Sequence, residues 1–120
     1  MLSLPSSTRV FVCREATDMR CSFDKLSALT QQTLSQDPLS GHLFVFLNRV
    51  RTHIKVLYFD CTGLAIWYKR LERGTFSVPA LEEISYRDLV CMLEGLQVKK
   101  LRFSRRNMQI PSVESEQRCY

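Results

Sequence analysis

Leu43-Phe44-Val45-Phe46-Leu47 is an unbroken apolar run, and its reading decides the architecture. A strand covered on both faces carries such a run, whereas a half-exposed strand alternates. After Asn48 to Thr52, a loop with two arginines, His53 to Asp60 (HIKVLYFD) resumes strand composition. Asp60-Cys61-Thr62-Gly63 places Asp first and Gly last, the signal of a type I turn, here joining antiparallel neighbours. Leu64 to Leu71 (LAIWYKRL) is then the third strand of one meander. Gly74 breaks the chain, and Thr75 to Val78 reads as a short edge strand before Pro79.

Upstream, Arg9 to Arg14 (RVFVCR) is rich in Val and Phe and predicts a first strand. Thr17 reads as a helix N-cap with Asp18 in the first turn, where a carboxylate suits the helix dipole. Met19, Phe23, Leu26, Leu29, Thr30 and Leu34 recur at helical spacing, which predicts an amphipathic helix of about four turns. Gln36-Asp37-Pro38-Leu39-Ser40-Gly41 ends it. Downstream, Ser85-Tyr86-Arg87-Asp88 opens a second helix with a capping-box-like pattern, Leu89, Leu93 and Leu96 form its apolar stripe, and Gly95 marks its C-terminal region. The expected fold is α+β, an antiparallel meander of three to five strands packed against two helices.

A chain of 120 residues with 45% hydrophobic and 24% charged residues has the composition of one globular domain. Residues 1–8 read as an N-terminal leader segment, 9–106 as the single domain, and 107–120 as a loosely held polar tail. There is no apolar run long enough to span a bilayer and no basic start of a secretory signal, so a cytoplasmic protein with no membrane partner is expected.

Chemistry-bearing motifs are sparse. The phosphate cradles G-x-x-x-x-G-K-[ST] and G-x-G-x-x-G and the nucleophile elbow G-x-S-x-G do not occur. Five scattered cysteines without a C-x-x-C pair, helped by His42 and His53 alone, do not announce a zinc site. The carboxylates Asp18, Asp60, Glu72 and Glu94 have contexts of helix start, turn, charge pairing and helix surface, which disfavours two-metal nuclease chemistry. The reading is therefore no enzyme, no catalytic residue, no metal and no cofactor.

Charge is the stronger signal: 17 Lys and Arg against 12 Asp and Glu give +5. From Arg49 to Arg73 there are six basic residues against two acids, and Lys99 to Arg106 (KKLRFSRR) holds five in eight. Tyr58, Trp67, Tyr68 and Phe103 lie among them. Cations meet phosphates and aromatic faces stack exposed bases. Solvated basic surface and core aromatics are the competing account, and strand alternation sends Trp67 and Tyr68 to opposite faces.

The run Gly63-Leu64-Ala65-Ile66-Trp67-Tyr68-Lys69-Arg70-Leu71-Glu72-Arg73-Gly74-Thr75-Phe76 resembles the G-L-x-x-x-Y-K-R-L-E-x-G-x-F signature of the small accessory protein (TnpB or Orf2 type) of the insertion sequence sixty-six family of bacterial transposons. Thr17-Asp18-Met19-Arg20 with Phe23-Asp24 and Leu26 is similar to that family's T-D-M-R-x-x-F-D-x-L, and Asp37-Pro38-Leu39-Ser40-Gly41-His42-Leu43-Phe44-Val45-Phe46 to its D-P-x-S-G-x-L-F-V-F. Leu93-Glu94-Gly95 matches the end of its last helix. The resemblance spans about residues 9–96 and implies a non-enzymatic accessory to a separate, larger transposase. Two places depart from it. The loop that is densely arginine-rich in relatives is Asn48-Arg49-Val50-Arg51-Thr52-His53 here, and Gln97-Val98-Lys99-Lys100 follows the last helix where relatives carry Asp or aromatic residues and arginines.

Two modes of action stay open. The first is binding of DNA, with transposon ends as candidate targets, through Lys69, Arg70, Arg73, Lys99, Lys100, Arg102, Arg105 and Arg106. The second is docking on the transposase of the same element through the Tyr68 to Gly74 segment, with Tyr68 and Glu72 as contact residues.

Overall fold

All of β2 (Leu43–Leu47) is buried because each of its faces is covered by a different helix. The computed structural model describes residues 7–94, so the Gly95 helix end, the basic run Lys99 to Arg106, the tail 107–120 and most of the 1–8 leader lie outside the described residues. Elements follow in the order β1 (Val10–Val12), α1 (Phe23–Thr33), β2, β3 (His53–Phe59), β4 (Leu64–Arg70), β5 (Glu83–Ile84) and α2 (Tyr86–Leu93). The strands form one sheet in the order β4-β3-β2-β1-β5. The expected α+β fold is found, and β2, β3 and β4 make the expected antiparallel meander.

One pair departs from the antiparallel expectation. β1 pairs with β2 in parallel, Val10 opposite Leu43 and Val12 opposite Val45. The reason is α1, which carries the chain back to the end where β1 started, the crossover a parallel pair requires. β5 then adds antiparallel on the other side of β1.

The two faces have separate cores. Leu26, Leu34, Phe11, Phe44, Phe46 and Leu57 pack on the α1 side. Val12, Val45, Ile54, Val56, Phe76, Leu89 and Met92 pack on the α2 side, with Trp67 half-buried against them. No helix among the described residues is long and apolar enough to cross a membrane.

Three local expectations are corrected. The first helix starts at Phe23, not beside Thr17, because residues 13–17 stay on β2: Cys13 N–H donates to Val45 O at 2.9 Å and Thr17 N–H to Leu47 O at 2.8 Å. Asp18 caps a local turn, its Oδ1 accepting from Arg20 N–H at 2.9 Å, the competition with helix that short polar side chains offer. Thr75 to Val78 is no edge strand; Phe76 is buried in the α2-side core and its N–H donates to Arg51 O at 2.7 Å, so this segment crosses the sheet's end. The turn after β3 is not type I either. Cys61 has φ of 54°, and Thr62 N–H donates to Asp60 O in a three-residue turn. The second helix begins as expected, with Ser85 Oγ accepting from Asp88 N–H at 3.0 Å.

Candidate nucleic-acid interface

Three connections meet where β1 and β2 end, β3 begins and β4 ends: residues 13–22, 48–52 and 71–82. Backbone bonds fasten the second and third to each other and the first to the end of β2. Leu71 N–H donates to Thr52 O at 2.8 Å, and Thr17 and Phe76 make the bonds given above. The 48–52 turn is built by Asn48, whose Oδ1 accepts from Thr52 N–H at 2.9 Å and His53 N–H at 3.1 Å. Arg51 sits there at φ 60°.

Arginine dominates this end. Arg14, Arg20, Arg49, Arg51, Arg70 and Arg73 all lie on these connections or at the end of β4 and are exposed. Arg14 donates to Ala80 O at 2.8 Å, Arg20 pairs with Asp18 at 2.7 Å, and Arg70 with Glu72 at 3.0 Å. Arg49, Arg51 and Arg73 form no ion pair among the described residues. An open hollow of about 490 Å³ lies between Ala16 to Met19 and Asn48 to Val50, with Arg49 and His53 in its wall. The Arg20 guanidinium and backbone N–H hold the Asp18 carboxyl down at about 2. Exposed ion pairs of this kind add little to stability, so Arg20 and Arg70 remain available to an anion.

The residues singled out in the sequence separate. Lys69 lies on the α2 side, where its ammonium donates to Leu93 O at 2.6 Å. Tyr68 and Arg70 lie on the α1 side, across from Lys55 and His53 in register. Alternation along β4 thus parts Lys69 from Arg70, and Arg73 joins the arginine end through the following turn. Glu72 is exposed and engaged with Arg70. Lys99, Lys100, Arg102, Arg105 and Arg106 lie outside the described residues. However, α2 delivers the chain to Glu94 near the end of β4, because the Lys69–Leu93 bond fixes it there.

Lys55, one of the basic residues between Arg49 and Arg73, is withdrawn from the surface. It is 8% exposed, and its ammonium donates to Met19 O at 2.8 Å and Cys21 O at 2.7 Å. Arg49 and Arg51 were visible as a two-arginine loop but were not among the residues singled out for DNA. Arg14 gave no signal in sequence, since its neighbourhood depends on the parallel β1–β2 pair. Among the described residues no three His, Cys, Asp or Glu side chains converge to hold a metal. Burial raises the Cys13 and Cys91 thiols above their ordinary range, which disfavours thiolate chemistry at either.

Known proteins supply a likeness over the same span. The sequence model of a family described as IS66 Orf2 like protein matches residues 8–103. Two proteins of Sinorhizobium fredii (strain NBRC 101917 / NGR234) are similar. The uncharacterized protein y4hO is 38% identical over 100 residues, covering 80% of this chain and 87% of that protein. The uncharacterized protein y4jC is 29% identical over 83 residues, covering 69% of this chain and 71% of that protein. No solved structure matches the chain. The family match runs past α2 and takes in Lys99, Lys100 and Arg102.

Proposed function

The chain belongs to the IS66 Orf2-like family, accessory proteins of insertion-sequence transposition, and from that membership we propose that it acts by holding nucleic acid at the arginine-lined end of its sheet. The observation that carries this reading is the convergence of three connections bearing Arg14, Arg49, Arg51, Arg70 and Arg73, of which Arg49, Arg51 and Arg73 form no ion pair among the described residues. Guanidinium groups match phosphate geometry and stay charged at every physiological pH. The basic run Lys99 to Arg106 follows α2 in sequence and would add to the same charge. Lys69 is a weaker candidate than its neighbours, since its ammonium already has a carbonyl partner.

Fluorescence anisotropy against transposon-end and scrambled DNA, between about 50 and 200 mM salt, tests the reading. Four contacts from Arg49, Arg51, Arg70 and Arg73 predict a log–log salt slope of about −3.6, steeper if the Lys99 to Arg106 run engages. Arg49→Gln with Arg51→Gln should make the slope shallower by about 1.8. An unchanged slope would remove that turn from the interface, and no binding at about 50 mM would end the nucleic-acid reading.

A second reading, docking on the separate transposase, draws on a different feature. β4 is an outer strand of the sheet, with no strand beyond it among the described residues, and an extended segment can add to such an edge. Tyr68 and Glu72 would then be contact residues. It requires a complex with transposase that survives nuclease treatment, together with weak affinity for DNA alone.

A further inference from the structure

On the α1 side, cover runs out before β4 does. Leu64 and Ile66 pack with Leu57 and Leu26 beneath α1, but the next residue on that face, Tyr68, is 51% exposed. Its cross-strand partner is Lys55, whose ammonium lies 4.8 Å from the centre of the tyrosine ring. The His53 ring is 6.0 Å away and tilted by 35°. Arg70 follows two residues later on the same face, with 63% of its side chain open. The tyrosine hydroxyl has no hydrogen-bond partner among the described residues, so the ring is placed by a cation and an imidazole.

An aromatic ring half open to solvent and flanked by an arginine and a histidine is the surface on which unpaired bases stack in proteins that hold single strands. Successive residues on one face of a strand stand about 7 Å apart, which puts the Arg70 guanidinium within reach of the phosphate attached to a base on Tyr68. A duplex keeps its bases paired and stacked inside, so it cannot use the ring without giving up a base pair. We infer that Tyr68 is a base-stacking platform and that the ligand favoured at this end of the sheet is single-stranded DNA. This rests on the nucleic-acid reading above and specifies the form of the ligand.

The test uses the full chain with a labelled 20-nucleotide single strand and with the same strand annealed to its complement, at about 50 mM salt. The wild type should bind the single strand more tightly. Tyr68→Leu, which keeps bulk over Lys55 but has no π-face, should weaken single-strand binding about 5- to 100-fold while leaving duplex binding within about twofold. Tyr68→Phe should retain single-strand binding within about twofold, since the stacking face is unchanged. Equal losses on both ligands, or no loss on the single strand, would overturn the stacking role while the salt-slope result for Arg49 and Arg51 stands. A Tyr68→Leu chain with an altered urea midpoint is replaced in the comparison by Tyr68→Phe against Tyr68→Trp. The larger ring should then bind the single strand at least as tightly, and weaker binding would overturn the inference. Failure of the wild type to bind either ligand would remove the nucleic-acid reading itself, and this inference with it.

Discussion

The ammonium of Lys69 donates to the carbonyl of Leu93 across 2.6 Å, joining the sheet's outer strand to the last turn of the second helix. The four last carbonyls of a helix have no partner within it, and a cation suits the negative end of its dipole. Lys69 therefore acts on the fold, whereas Arg70, one residue on, points to the opposite face.

Truncating Lys69 should show this. Lys69→Ala is expected to lower unfolding free energy by about 1–3 kcal/mol, because a charge-assisted bond to a partly buried carbonyl is lost. Arg70→Ala, which breaks only an exposed pair with Glu72, should change it by less than about 1 kcal/mol. Urea denaturation of both variants checks the contrast, and equal midpoints would show the Lys69 bond to be dispensable.

Lys55 gives a sharper case. Its ammonium answers the carbonyls of Met19 and Cys21 and so holds the 19–21 segment against β3. Lys55→Met keeps the aliphatic stem and leaves both carbonyls unanswered. A loss of about 1–3 kcal/mol is expected, with faster proteolysis at Arg20. Cleavage at the wild-type rate would show that the segment is held by other contacts.

Acid should act through Asp18. Its folded-state carboxyl titrates at about 2, against an ordinary 3.8, because Arg20 binds the ionised form. A lowered folded value means the contribution is fully present above the ordinary value and is lost as pH falls from about 3.8 to about 2. Asp18→Asn should flatten melting temperature against pH across that window. The same acid limb in the variant would assign it to other carboxylates, such as Glu83, which the Arg9 guanidinium also lowers.

The turn at Cys61 offers a gain. A residue with a Cβ at φ 54° sits in the left-handed region, which glycine adopts without that cost. Cys61→Gly is expected to stabilise by about 0.5–1 kcal/mol, the steric relief exceeding the extra entropy of the unfolded glycine. A lower melting temperature in a calorimetric scan would contradict it.

What could be read from the chain was periodic or local. The unbroken Leu43 to Leu47 run announced a doubly covered strand, and alternation placed Trp67 and Tyr68 on opposite faces. Ser85 announced its own helix start. What could not be read was set by distant partners. The parallel β1–β2 pair depends on where the α1 crossover returns the chain, and Thr17 resembles a helix cap until Leu47 claims its N–H. Lys55 has the composition of a surface cation, and only the carbonyls of Met19 and Cys21 withdraw it. Arg14, Arg49 and Arg51 belong together for the same reason, since nothing between them in the chain foretells that residues 13–22 and 48–52 share an end of the sheet.

The placement of β1 bears on how the chain is made. A ribosome releases Val10 early, yet the two strands that flank it arrive with Leu43 and with Ile84. The β2–β3–β4 meander can pair as soon as Arg70 has emerged, since each of its strands adjoins the next in the chain. β1, by contrast, has one side unoccupied until β5 is synthesised, and among the described residues the short Glu82 to Ile84 stretch closes it. A message truncated shortly before the codon for Glu83 would therefore yield a chain with its meander intact and its first strand exposed, a species prone to pairing with its own copies.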